Sequence, residues 1–250
     1  MERTRNKIII LVGFILCSVL FTSAQKKDLE YYQCAFFESY RQGNMAPWPV
    51  LIAEMEKVKP ADLAWQLEML KAMYGLVGFQ LGKREKVLAG KYVAKADGYF
   101  GKLLAKHPEN AQLHSLAGAF YGYKIALAFY KAPFLGPKSL SHMDKAIELD
   151  PAEPMGYIEK GNSLYYRPVV FGGDKAEGLS YYQKALKLID SKGEQKCNRQ
   201  KLLLRAFILK SLYETNQTEA ARKFQSEMQK DYGSMDWIQQ FVGAKFMDDK

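Results

Sequence analysis

The 250-residue sequence is short of the residue patterns that build chemistry. Its three histidines, His107, His114 and His142, form no H-x3-H pair and have no neighbouring Cys or carboxylate cluster, so no metal centre is expected. G-x-S-x-G is missing, and neither Cys34 nor Cys197 has a catalytic signature around it. Gly78 to Arg84 (GFQLGKR) looks superficially like a phosphate loop. Its two glycines stand one residue too close, however, and Arg84 fills the place of the required Ser or Thr. No dense Arg/Lys block interleaves with aromatics, which argues against nucleic acid as a partner. Persuasive strand alternation is also lacking. These absences together predict a non-enzymatic, all-α protein without a cofactor.

What is present is the balance of a folded chain: 48% hydrophobic residues, 25% charged, 16 Tyr and 14 Phe. Arg3, Arg5 and Lys7 precede the apolar run Ile8 to Phe21, and Thr22-Ser23-Ala24 follows. That order reads as a secretory signal peptide over residues 1–24, cleaved after Ala24. The run falls short of the ~20 residues of a spanning helix, so membrane association is expected only through the uncleaved leader. Leu16 before Cys17 argues against a lipobox. Loss of three cations and Glu2 lowers the formal charge from +9 to +7, carried by lysines that look scattered among acids along the chain. The expected periplasmic location permits a disulfide between Cys34 and Cys197. In an elongated array, though, the two should lie several repeats apart and stay unbridged.

Beyond the leader, helical periodicity recurs throughout. Leu88, Tyr92, Ala96, Tyr99 and Leu103 repeat at spacings of three and four, and Gly82-Lys83 reverses the chain before them. Similar helix endings at residues 103–108, 145–151 and 184–190 recur every 39 to 43 positions. Helix pairs are predicted over about 26–57, 62–107, 111–150, 154–190 and 198–231, with a cap at 235–246. Tyr157, Gly161, Tyr182 and Ala185 resemble the tetratricopeptide-repeat (TPR) signature, Tyr157 standing in the tryptophan place. Lys160 departs from it. The resemblance implies a right-handed superhelix of stacked antiparallel pairs with a concave face for a protein or peptide. The turns APFLGPK (132–138) and RPVVFGGDK (167–175) are similar to those of the T component of TRAP-type solute transporters. That similarity implies, as the alternative, an oligomeric periplasmic accessory subunit holding or passing a small ligand through an aromatic cavity.

Both turns can be read locally. Pro168 ends one helix, Gly172-Gly173 allows φ > 0, and Asp174 caps the next helix while Glu177 reaches back in a capping box. Asn216 to Glu219 is expected to repeat that device. In the earlier turn, which includes Pro133, Gly136-Pro137 is expected to open the following helix. The apolar residues Phe134, Leu135, Val169, Val170 and Phe171 should fold back over a neighbouring helix, or else meet a partner. Residues 111–130 carry one charge, Lys124, which either snorkels to solvent or lines a cavity with Tyr121 and Tyr123. With Asn162 and Tyr165 on the next first helix, these are the candidate binding residues.

Overall fold

The structure, a computed structural model, describes residues 27–58 and 61–243. The predicted leader and its cleavage site lie outside the described residues, as does the end of the predicted cap. The described residues form eleven α-helices and no strand. They are α1 (Leu29–Arg41), α2 (Trp48–Met55), α3 (Leu63–Gly82), α4 (Lys86–Lys106), α5 (Ala111–Leu127), α6 (Ala132–Leu149), α7 (Pro154–Tyr166), α8 (Lys175–Ser191), α9 (Arg199–Glu214), α10 (Thr218–Tyr232) and α11 (Trp237–Val242). Two short 3-10 turns, Phe129–Lys131 and Val169–Phe171, precede α6 and α8.

Every odd-numbered helix from α1 to α9 opens on a side-chain cap. Asp28, Asp62, Asn110, Glu153 and Asn198 each accept a backbone N–H from the first turn, satisfying donors that have no partner within the helix. Among α2, α4, α6, α8 and α10, only α8 has such a cap, supplied by Asp174.

Consecutive helices pack as pairs, and small residues let two of these crossings close tightly. The Ser139 hydroxyl of α6 donates to the Gly118 carbonyl of α5 at 2.7 Å. A Cβ on Gly161 of α7 would stand 2.5 Å from the Tyr182 ring of α8, so glycine and aromatic fit each other. Successive odd helices also touch, α3 on α5 and α5 on α7.

The first and last described helices meet. Helix α9 packs on α1, and Arg199 pairs with Glu68 of α3 at 2.9 Å. Trp237 Nε1 donates to the Arg41 carbonyl at 3.1 Å, with its ring against Tyr40 and Gly43. Cys34 and Cys197 are accordingly disulfide-bonded, their Cα atoms 4.9 Å apart. This corrects the expectation of two distant thiols. So few helix pairs suffice to bring the last pair back onto the first, a closure that local periodicity does not encode.

Candidate functional site

The five candidate binding residues divide between two surroundings. Lys124 neither runs free to solvent nor meets an open cavity: its ammonium pairs with Asp97 at 2.7 Å and sits 4.9 Å from the Tyr121 ring centre. Tyr121 in turn stacks on His142, whose Nδ1 is 3.0 Å from that of His114. Tyr123 does not join them. Its hydroxyl donates to the Tyr74 carbonyl at 3.0 Å. A helix turns 100° per residue, so two successive positions cannot serve the same face.

Tyr123 and Asn162 instead belong to an interior polar network that also takes in Tyr74, Glu159 and Tyr182. The Asn162 amide donates to the Tyr74 hydroxyl at 3.1 Å and to the Glu159 carboxyl at 3.2 Å, and its carbonyl accepts from the Tyr182 hydroxyl at 2.7 Å. Glu159 is buried with no cation paired to it among the described residues, and burial pushes its carboxyl up to about 7 although the bonds from Tyr74 and Asn162 act the other way. Burial likewise raises the Tyr74 and Tyr123 phenols. Tyr165 lies beside this network, its hydroxyl donating at 2.5 Å to Glu214, which also binds Lys175 at 2.6 Å. The polar groups of these residues are therefore engaged within the protein. Their hydrogen-bond partners, Tyr74 and Glu159 above all, gave no sequence signal, because they sit on helices whose relative rotation only packing sets.

The chain leaving α7 is built differently. Pro168 turns it out of the helix, and the Pro168 carbonyl accepts from the N–H groups of Phe171 and Gly173 at 2.9 and 3.1 Å. Gly172 adopts φ +82°, which an L side chain resists. Gly173 is required for a second reason: a Cβ there would stand 1.8 Å from the Arg167 carbonyl oxygen. Asp174 then donates its own N–H to the Leu164 carbonyl at 3.1 Å and caps α8 through Ala176 and Glu177. Because that N–H is already satisfied, the reach-back from Glu177 is not used; Glu177 only donates its own backbone N–H to Asp174.

Two other turn expectations are corrected. Helix α6 begins at Ala132 with Pro133 in its first turn, which leaves Gly136 and Pro137 inside the helix. Downstream, Asn216 takes φ +60° just past the end of α9, and α10 starts after Gln217 with no side-chain cap. Asparagine tolerates the left-handed region, so it ends a helix there instead of starting one.

The apolar residues of both turns do not fold back. Phe129, Tyr130, Phe134, Tyr166, Val169, Val170 and Phe171 are all solvent-facing, from 58% exposed for Phe129 and Tyr166 to 84% for Val169. Only Leu135 is half-buried. The Phe129 and Phe171 rings lie 6.4 Å apart, so the two turns come together at these residues. The hydrogen-bonded turn at 168–174 holds Val169 and Val170 outward, so collapse onto the helices is not open to them. Lys131, Lys138 and Arg167 supply positive charge at the same two turns.

The sequence matches no protein-family model and no curated protein. Among solved structures it is similar to the HusA haemophore from Porphyromonas gingivalis, with TM-score 0.61 over 77% of this chain and 96% of that one. At 15% identity, that likeness shows a shared fold and nothing finer.

Proposed function

We propose that this chain is an exported, non-catalytic binding protein that captures a flat, largely apolar molecule of the heme class on the face formed by Phe129, Tyr130, Phe134, Tyr166, Val169, Val170 and Phe171. Its helix pairs serve as TPR-like units, and the leader at 1–24 directs export. The carrying observation is the outward, hydrogen-bonded presentation of these apolar side chains, a costly arrangement for a face that meets only water. A planar macrocycle suits it, since aromatic edges and branched aliphatics cover a ring face without directional bonds. Lys131, Lys138 and Arg167 offer partners for peripheral carboxylates. The fold likeness to a haemophore supports the reading and does not carry it.

A protein or peptide segment on this same face is the second reading. The highly exposed, non-aromatic Val169 and Val170 favour it, because they suit a helix as readily as a ring.

The test is a titration of hemin into the purified protein, followed by absorbance. The expected outcome is saturable binding that weakens about tenfold or more in Phe129→Ala/Phe171→Ala. Binding unchanged in Val169→Asp/Phe171→Asp would overturn the assignment.

A further inference from the structure

The exposed lysines of α4 concentrate on one strip: at 3.6 residues per turn Lys91, Lys102 and Lys106 fall within about 60° of one another, with Lys86 at the opposite edge of the solvent side. Ala89, Tyr92, Val93, Ala96, Phe100 and Leu103 face the core, while Lys86, Lys91, Lys102 and Lys106 face solvent. The acids that would neutralise them are few and already engaged elsewhere. Asp97, the one acid of α4, is paired to Lys124 of α5 at 2.7 Å, and Lys95 is satisfied by Glu56 at 2.7 Å. Lys83 and Arg84 are exposed just before the helix, with the Lys83 ammonium 4.6 Å from the Phe79 ring centre. None of Lys83, Arg84, Lys86, Lys91, Lys102 and Lys106 makes an ion pair among the described residues.

The surface between these lysines is low. Gly98 and Gly101 have open space where a Cβ would stand, Ala94 and Ala105 are exposed, no Trp, Phe or Arg of α4 is exposed, and its half-buried Tyr99 is tied to Glu56 through its hydroxyl at 3.2 Å. Protein interfaces are anchored by such bulky residues, so this face has no grip for a folded partner. At its N-terminal end Val87 is 88% exposed and Leu88 46%. From Lys91 to Lys106 the strip runs about 22 Å along the helix.

We propose that α4 is a docking surface for an anionic membrane. Lysine ammoniums meet headgroup phosphates, the glycine and alanine positions let the helix lie flat, and Val87 and Leu88 enter the headgroup layer. This contact uses none of the residues of the apolar face at the α5–α6 and α7–α8 turns.

Vesicle partitioning tests it, comparing the purified chain with Lys86→Glu/Lys91→Glu/Lys102→Glu/Lys106→Glu on phosphatidylcholine vesicles with and without phosphatidylglycerol. All four lysines are exposed, so circular dichroism should show both proteins equally folded, and their shared N-terminus cancels in the comparison. Each lysine near such a surface is worth about a factor of five in partitioning, so the variant should bind the anionic vesicles at least ~100-fold more weakly. Binding of the unaltered chain should also fall as salt rises. Equal partitioning of the two proteins overturns the proposal. So does binding to soluble polyglutamate without binding to the anionic vesicles, which would assign the row to an acidic protein.

Discussion

Cys34 on α1 and Cys197 just before α9 are joined by a disulfide across 163 residues of sequence. The bond lies where the first and last helix pairs touch, beside the Arg199–Glu68 ion pair. It therefore restrains the closure of the whole array.

Reduction, or Cys34→Ser, should lower stability by roughly 3–5 kcal/mol, since the cross-link closes a very long loop in the unfolded chain. Thermal melts with and without reductant would show this. An unchanged melting temperature would mean that α1 and α9 stay docked without the bond and that unfolded-chain restraint contributes little.

Gly173→Ala should damage the 168–174 turn more than Gly172→Ala. The first drives a methyl into the Arg167 carbonyl, whereas the second meets only the left-handed penalty of about 1–2 kcal/mol. Asp174→Ala removes two capping bonds and should cost about 1 kcal/mol. Denaturant midpoints for the three variants provide the ranking, and an equal loss for the two glycines would contradict the geometry.

Glu159 predicts a pH dependence of stability. Its folded carboxyl titrates near 7, above the ordinary value of 4.5, so between these values the folded state holds more proton than the unfolded chain. Stability should fall as pH rises through that window, by about 3 kcal/mol from this group, then level off. Glu159→Gln should flatten the fall. A slope unaltered by the substitution would place the titrating group elsewhere.

The apolar face allows a sharper separation of stability from binding. Val169→Ser and Phe171→Ser should change stability by no more than about 0.5 kcal/mol, because their side chains are already in water. Their hemin affinity should nevertheless drop. A large loss of stability would show that the face packs within the protein after all.

The helices and their order were legible in the sequence because an amphipathic helix repeats its apolar side chains every 3.6 residues, whatever it later packs against. Asp174 as a cap was legible for the same reason, being set by backbone geometry and neighbours close along the chain. Pro137 misled because proline usually marks a helix start, yet helix onset here falls one turn earlier, at Ala132. Tyr121, Tyr123 and Lys124 were grouped as neighbours in sequence, but the rotation of α5 sends Tyr123 to Tyr74 and Lys124 to Asp97.

The lysines show the same division. Read along the chain they look scattered among acids, whereas the packing of α4 draws Asp97 away to Lys124 and leaves lysines exposed without an ion pair. Backbone periodicity and capping are local, and the sequence by itself determined them. The return of the last helices to the first, the disulfide it permits, the uncompensated Glu159 and the outward apolar turns depend on contacts between residues far apart in the chain. Only tertiary packing decides which of those side chains meet.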